Sequence, residues 1–269
     1  MSKEAEKEAA EIIERIRKEL NGAKFIKVPV WYMFANDIAF CNRFMPSPIK
    51  TDVNNYLDHI LQKDSLRYMV TKGTILYRAR RIKREHIKRD ANGKYVGYSE
   101  GESGMPPYRL APYGRVGTSG IPVFYAATDK KTSCMELRPA KNEYLSVAEY
   151  EVKEDLLLAD FSLEQVDAYD NTFEGKMFLK EMFTSFSTPV TSELIDYLPS
   201  EYISEYIRTK HKELAGIRHS SLHNIGGYNI ALFIQSQCKY KGSQVVECSS
   251  VDCIFTDINI SEAGGLENR

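Results

Sequence analysis

The chain changes character at Lys72-Gly73, and that change confines it to folds in which helical segments and a sheet occupy different stretches of sequence. Before this point apolar residues recur with helical period. Ala9, Ile12, Ile13, Ile16 and Leu20 form one stripe over residues 3–20, which Asn21-Gly22 stops, and Tyr56, Leu57, Ile60 and Leu61 share a face over 53–66. After it, Thr74–Arg80, Ile121–Ala127, Leu145–Val152, Asn229–Ile234 and Ser250–Phe255 have the β-branched and aromatic content of strands. Residues 163–215 between them read mostly as helix, with Phe173, Met177, Phe178 and Met182 on one stripe and Tyr202, Ile203, Tyr206 and Ile207 on another. The expected class is α+β. A mixed β core with helices spans 71–260, a helical N-terminal extension spans 1–70, and a flexible tail spans 261–269.

Charge decides which ligands such a chain attracts. The 36 basic and 37 acidic side chains nearly cancel, so no global field recruits nucleic acid or a membrane surface, and an anionic ligand must be held by local arginines. The N-terminus has no apolar signal-type core, and no run approaches the roughly 18 apolar residues of a membrane span. A cytosolic location is the expectation. Five cysteines without a C-x-x-C pair argue against a disulfide framework and a zinc knuckle, and are expected to be reduced core residues.

Four constellations carry chemistry. Tyr77-Arg78-Ala79-Arg80 puts two arginines on one face of a strand, where each needs either a structural carboxylate or a bound anion. Gly114-Arg115-Val116-Gly117-Thr118-Ser119-Gly120 could bring backbone amides and Arg115 to a phosphate, or be a turn; it fits neither a Walker nor a Rossmann pattern. Tyr125 ends a strand, and Glu136 follows on a helix capped by Thr128-Asp129. Glu136 lies within the mostly apolar run 133–137, so it is either engaged or an exposed helical glutamate beside Arg138. Finally, residues 216–233 gather Ser220, Ser221, His223, Asn224 and Asn229 among flexible glycines, as a site rim or a turn. His219 and His223 lack a third ligand at suitable spacing, so no metal is expected, and no G-x-S-x-G elbow marks a nucleophilic serine.

Taken in order, LYRAR at 76–80, GRVGTSGIPVFYAAT at 114–128, SCMELRP at 133–139 and GIRHSS with GGYNIALF at 216–233 resemble the RES-domain family over about residues 73–234. The Arg, Glu and Ser of that family's name match Arg78, Glu136 and Ser221, and its site Tyr and second Arg match Tyr125 and Arg115. The resemblance implies a fold related to ADP-ribosyltransferases and a toxin that depletes NAD by glycohydrolysis or phosphorolysis, often encoded beside an Xre-type antitoxin. Two departures stand out. Gly117 occupies a position where the family usually has Asn, which touches ligand contacts, and about 70 residues precede the domain, which touches regulation or partners.

On this resemblance NAD is the substrate, and Arg78, Tyr125, Glu136 and Ser221 are the catalytic set. Arg80, Arg115, Ser220 and Asn229 are further ligand contacts. Glu136 would stabilise the oxocarbenium-like ribose, Arg78 with Arg115 would grip the pyrophosphate, and Tyr125 would stack on the nicotinamide or ribose. Ser221 would orient Glu136 or the phosphates, and Ser220 could exchange places with it. ADP-ribosyl transfer to a macromolecule is the alternative within the same chemistry. A non-catalytic module, with these charges as an ion network, is the alternative outside it. An Xre-type antitoxin or another regulatory protein, and a second copy of the chain, are the partners left open. Neither direct nucleic-acid binding nor a membrane is expected.

Overall fold

The computed structural model describes residues 27–166, 172–188 and 194–251. The stripe expected over 3–20, all but the first two residues of the strand expected at 250–255, and the tail at 261–269 lie outside these residues.

Helix α1 (Trp31–Asn36) runs into a π-helical turn, Asp37–Cys41, and α2 follows at Pro48–Ile60. The Ser47 hydroxyl accepts from the Lys50 amide at 3.3 Å, and Pro48 takes the first helical position, so α2 starts five residues before the expected Val53. It stops at Ile60, short of the expected Leu66, which instead ends a 3-10 turn. Val53, Tyr56, Leu57 and Ile60 bury its inner stripe. Edge-to-face contacts dock these helices onto the rest of the protein. Trp31 and Tyr56 meet Phe178 at 5.7 and 5.3 Å, and Phe34 meets Tyr202 at 5.4 Å. Phe178 lies on α5 (Phe173–Ser187) and Tyr202 on α6 (Leu198–Lys210), counting a short α3 (Glu100–Ser103) and α4 (Lys130–Met135) before them.

The strands are β1 (Arg67–Val70), β2 (Ile75–Arg81), β3 (Lys88–Arg89), β4 (Tyr95–Val96), β5 (Phe124–Ala127), β6 (Tyr144–Val152), β7 (Leu156–Phe161), β8 (Gly216–Ser220), β9 (Tyr228–Leu232) and β10 (Cys238–Glu247). Eight of them form one sheet in the order β1-β7-β8-β9-β5-β2-β6-β10, while β3 and β4 pair separately. Among the described strands only β7 and β8 run parallel, and α5 and α6 lie in the crossover between them. The class is mixed α+β, as expected.

Strand alternation assigns each residue a face. Ala159, Phe161, Ile217 and Ala231 join a core shared with α1, α2, α5 and α6, whereas Leu158, Ile230 and Leu232 join Phe124, Leu76 and Tyr150 on the opposite face. The N-terminal helices therefore contribute to the same core as the sheet. Strands β1, β3, β4, β7 and β10 escaped the sequence reading. β7 is a largely buried run, apolar except for Asp160, with no period, and β10 is a half-exposed edge strand, mostly polar, with a bulge between Tyr240 and Gly242. The cysteine expectation needs correction as well. Cys238 is buried, but Cys134 and Cys248 are half-buried and Cys41 is exposed; Cys253 lies outside the described residues.

Among the described residues, no helix is long and apolar enough to cross a membrane.

Candidate active site

Glu136 is placed by a helix start and delivered by a helix end. Asp129 caps α4, its Oδ1 accepting from the Thr132 amide at 2.8 Å, as the sequence predicts. Thr132 Oγ1 donates to Asp129 Oδ2 at 2.5 Å and accepts from Asn224 Nδ2 at 2.7 Å, tying α4 to the loop after β8. Gly227 closes that loop against α4. A Cβ there would lie 2.1 Å from Thr132 Oγ1, so a larger residue would push the two apart. Six residues of helix later the chain leaves α4 at Glu136, with Arg138 in the left-handed region at φ 46°.

There the Glu136 Oε1 accepts from Ser221 Oγ and from Asn229 Nδ2, both at 2.7 Å. Burial is the largest influence on this carboxyl and would raise its pKa, but the two hydrogen bonds, with the positive charge of Arg115 behind them, outweigh it and hold the pKa below the usual value. Glu136 is thus ionised at neutral pH. It is not the exposed partner of Arg138 that its sequence neighbour would allow.

Period-two geometry also separates the two serines. His219 and Asn229 are cross-strand partners on β8 and β9 and face the helical side, so Ser220 turns to the other face and Ser221 returns. Accordingly Ser220 Oγ donates to Glu164 at 3.0 Å and accepts from the Leu163 amide at 2.9 Å, while Ser221 meets Glu136. Ser221 Oγ also accepts from the amides of His223 and Asn224 at 3.2 and 3.1 Å. No histidine side chain is bonded to it, which removes the geometric support for a Ser-His nucleophile.

Arg78 fills a gap between strands. β2 and β5 pair only at Tyr77 and Ala127, and beside that single contact the Arg78 guanidinium donates from Nη1 to the Tyr125 carbonyl and from Nε to the Ser103 carbonyl at 2.7 Å. It also lies over the Phe124 ring, 5.4 Å from its centre. Burial first, and the neighbouring charge of Arg80 second, lower its pKa to about 10, which leaves it charged at pH 7. Arg80 donates to the Gly104 carbonyl at 2.7 Å. Among the described residues neither arginine pairs with a carboxylate.

Tyr125 spends its hydroxyl on the backbone. Its hydroxyl accepts from the amides of Val116 and Gly117 at 2.9 and 3.2 Å, and burial pushes its pKa up to about 12, so it stays protonated. Those two amides are consequently taken by tyrosine and not offered to a phosphate. What the bonds do is pin the 114–117 loop so that Arg115, its Nε donating to the Thr188 carbonyl at 3.2 Å, faces the same space as Glu136.

That space is a cavity of about 210 Å³ lined by Arg78, Arg115, Tyr125, Glu136, His219 and Asn229 together with Ala79, Ala126, Ala127, Ser133 and Leu137. Of the expected residues, Arg78, Arg115, Tyr125, Glu136 and Asn229 border it and Ser221 touches it through Glu136; Arg80 and Ser220 do not line it. Sequence reasoning missed His219 in this role, having weighed it only as a metal ligand; its period-two spacing from Ile217 was the available signal. Among the described residues no group of three or more His, Cys, Asp and Glu side chains could hold a metal.

Ser221→Ala tests the wiring of the carboxylate. Removing a donor should raise the Glu136 pKa, so the acid limb of the pH–activity profile moves to higher pH, while at pH 7, where the carboxylate stays ionised, the lost positioning bond of about 1 kcal/mol lowers activity by up to about tenfold. An unshifted limb would show that Ser221 does not tune Glu136.

The comparisons with curated proteins and with solved structures return no match. The sequence model described as the RES domain matches residues 75–248, more than half of the 269 residues and the whole span from Arg78 to Asn229. The chain belongs to the RES domain family.

Proposed function

We propose that this protein cleaves the nicotinamide–ribose bond of NAD and so depletes it. RES domains are associated with NAD-targeting toxins. The observation that carries the reading is Glu136, an ionised carboxylate held by Ser221 and Asn229 in a cavity that also contains two arginines.

Nicotinamide in NAD is a pyridinium. When the C–N bond breaks, its electron pair goes to the ring nitrogen and the ring departs neutral, so no strong general acid is required. Positive charge instead builds on the ribose, and an anionic Glu136 lowers the energy of that state while taking hydrogen bonds from the ribose hydroxyls. Oε1 already accepts two bonds, whereas Oε2 carries none among the described residues and serves the ligand. Arg78 and Arg115, free of carboxylate partners among these residues, suit the pyrophosphate. Arg78 does so from a rigid mount, since two backbone carbonyls fix its plane.

At about 210 Å³ the cavity is smaller than the roughly 300–1,000 Å³ of pockets that enclose drug-sized ligands. It therefore takes the nicotinamide riboside end, and the adenosine half lies outside it. Water attack on the ribose C1 gives ADP-ribose and a proton, and phosphate attack gives the 1″-phosphate. Mass analysis of products formed with and without phosphate distinguishes the two acceptors, and the absence of both products would overturn the reading.

A further inference from the structure

His219 sits at the end of β8 and is 1 % exposed, yet it borders the cavity. Its Nδ1 meets the Ser220 carbonyl at 3.2 Å. A carbonyl can only accept, so Nδ1 carries the proton and Nε2 presents a bare lone pair. Nε2 is buried and has no hydrogen-bond partner among the described residues. An acceptor left in that state is unfavourable unless something outside the chain completes it. Burial, and after it the charge of Arg115, push the His219 pKa down to about 4, so the ring is neutral at pH 7.

We propose that His219 Nε2 accepts a hydrogen bond from the carboxamide N–H of the nicotinamide ring and so selects the leaving group. This inference rests on the NAD-cleavage reading. The nicotinamide riboside end of NAD offers two kinds of donor, ribose hydroxyls and the carboxamide NH₂. The hydroxyls match the free oxygen of Glu136, a stronger acceptor, and the ionised pyrophosphate has no donor to give. What is left for a neutral acceptor is the carboxamide. Neutrality matters for a second reason: a protonated imidazole would place a cation against the pyridinium, and its Nε2–H could not accept at all. Nicotinate, with a carboxylate in place of the amide, would face the lone pair with no proton to share.

The test compares NAD with its 3-acetylpyridine analogue, in which a methyl group replaces the amide nitrogen. The kcat/KM ratio for the two substrates is measured in the wild type, His219→Phe and His219→Gln. Comparing the ratio between variants cancels the intrinsic reactivity of the two rings. Phenylalanine fills the buried space without an acceptor, so the ratio should fall about tenfold or more, mainly through KM for NAD. Glutamine can carry an acceptor oxygen close to the position of Nε2 and should recover part of the preference, which also covers the case of a poorly folded Phe variant. A Phe variant that slows both substrates by the same factor would mark His219 as a packing residue and overturn the proposal.

Free nicotinamide and nicotinate, read as shifts in the unfolding midpoint, separate the two levels of inference. Selective binding of nicotinamide that His219→Phe abolishes, in a protein that leaves NAD intact, would sink the cleavage reading and keep the acceptor role. Normal NAD cleavage with an unchanged substrate ratio would do the reverse. A protein that neither cleaves NAD nor binds nicotinamide would overturn both.

Discussion

Glu136→Gln is expected to lower NAD turnover about a hundredfold to a thousandfold while leaving the protein folded. Removing one preorganised electrostatic group from a reaction centre has effects of this size. The amide keeps the volume of the carboxylate, and its carbonyl oxygen can still accept from Ser221 and Asn229, so the local bonds survive. What disappears is the negative charge opposite the ribose. The loss should therefore fall on kcat more than on KM, because the charge counts most as the C–N bond opens. Steady-state nicotinamide release together with a thermal unfolding curve checks both parts. Undiminished turnover would remove Glu136 from the mechanism.

Arg78→Lys should be nearly as damaging, and for two reasons at once. One ammonium cannot bridge the carbonyls of Ser103 and Tyr125 and still offer a planar pair of N–H groups to a phosphate. An activity loss of about a hundredfold and a stability loss of about 1–3 kcal/mol follow, the second from buried carbonyls left short of a donor. The two effects are separable, since NAD affinity can be measured well below the unfolding temperature. If affinity and turnover stayed normal while the protein unfolded earlier, Arg78 would be only the bracket that holds β2 beside β5.

How much of this could be read from the sequence follows from where each signal is stored. Strands β2 and β6 and the start of α4 announced themselves, because alternation and an Asp cap are local properties. β7 was illegible because a strand buried on both faces has no period, and β10 because a polar edge strand looks like a loop. The site behaved in the same way. The order of motifs along the chain singles out Tyr125, Glu136 and Ser221 as candidates, but the bond between Ser221 and Glu136 joins side chains 85 positions apart, a fact that no local pattern encodes. Ser220 and Ser221 could not be ranked until the face assignments of β8 and β9 were known. Tyr125 and Arg78 turned out to spend bonds on the backbone, Tyr125 holding the 114–117 loop and Arg78 the gap beside β5, because both groups are buried where strands and loop meet and must satisfy polar atoms there. His219 was overlooked because its spacing from His223 raised only the question of a metal, and only the fold shows its free nitrogen on a buried strand bordering a cavity.

Bond cleavage is read as nicotinamide released from NAD by the purified 269-residue chain, quantified by mass against NAD consumed. One nicotinamide per NAD lost is expected, with many turnovers per protein molecule and almost none in the Glu136→Gln variant. NAD recovered intact after prolonged incubation with an equimolar amount of folded protein would contradict it.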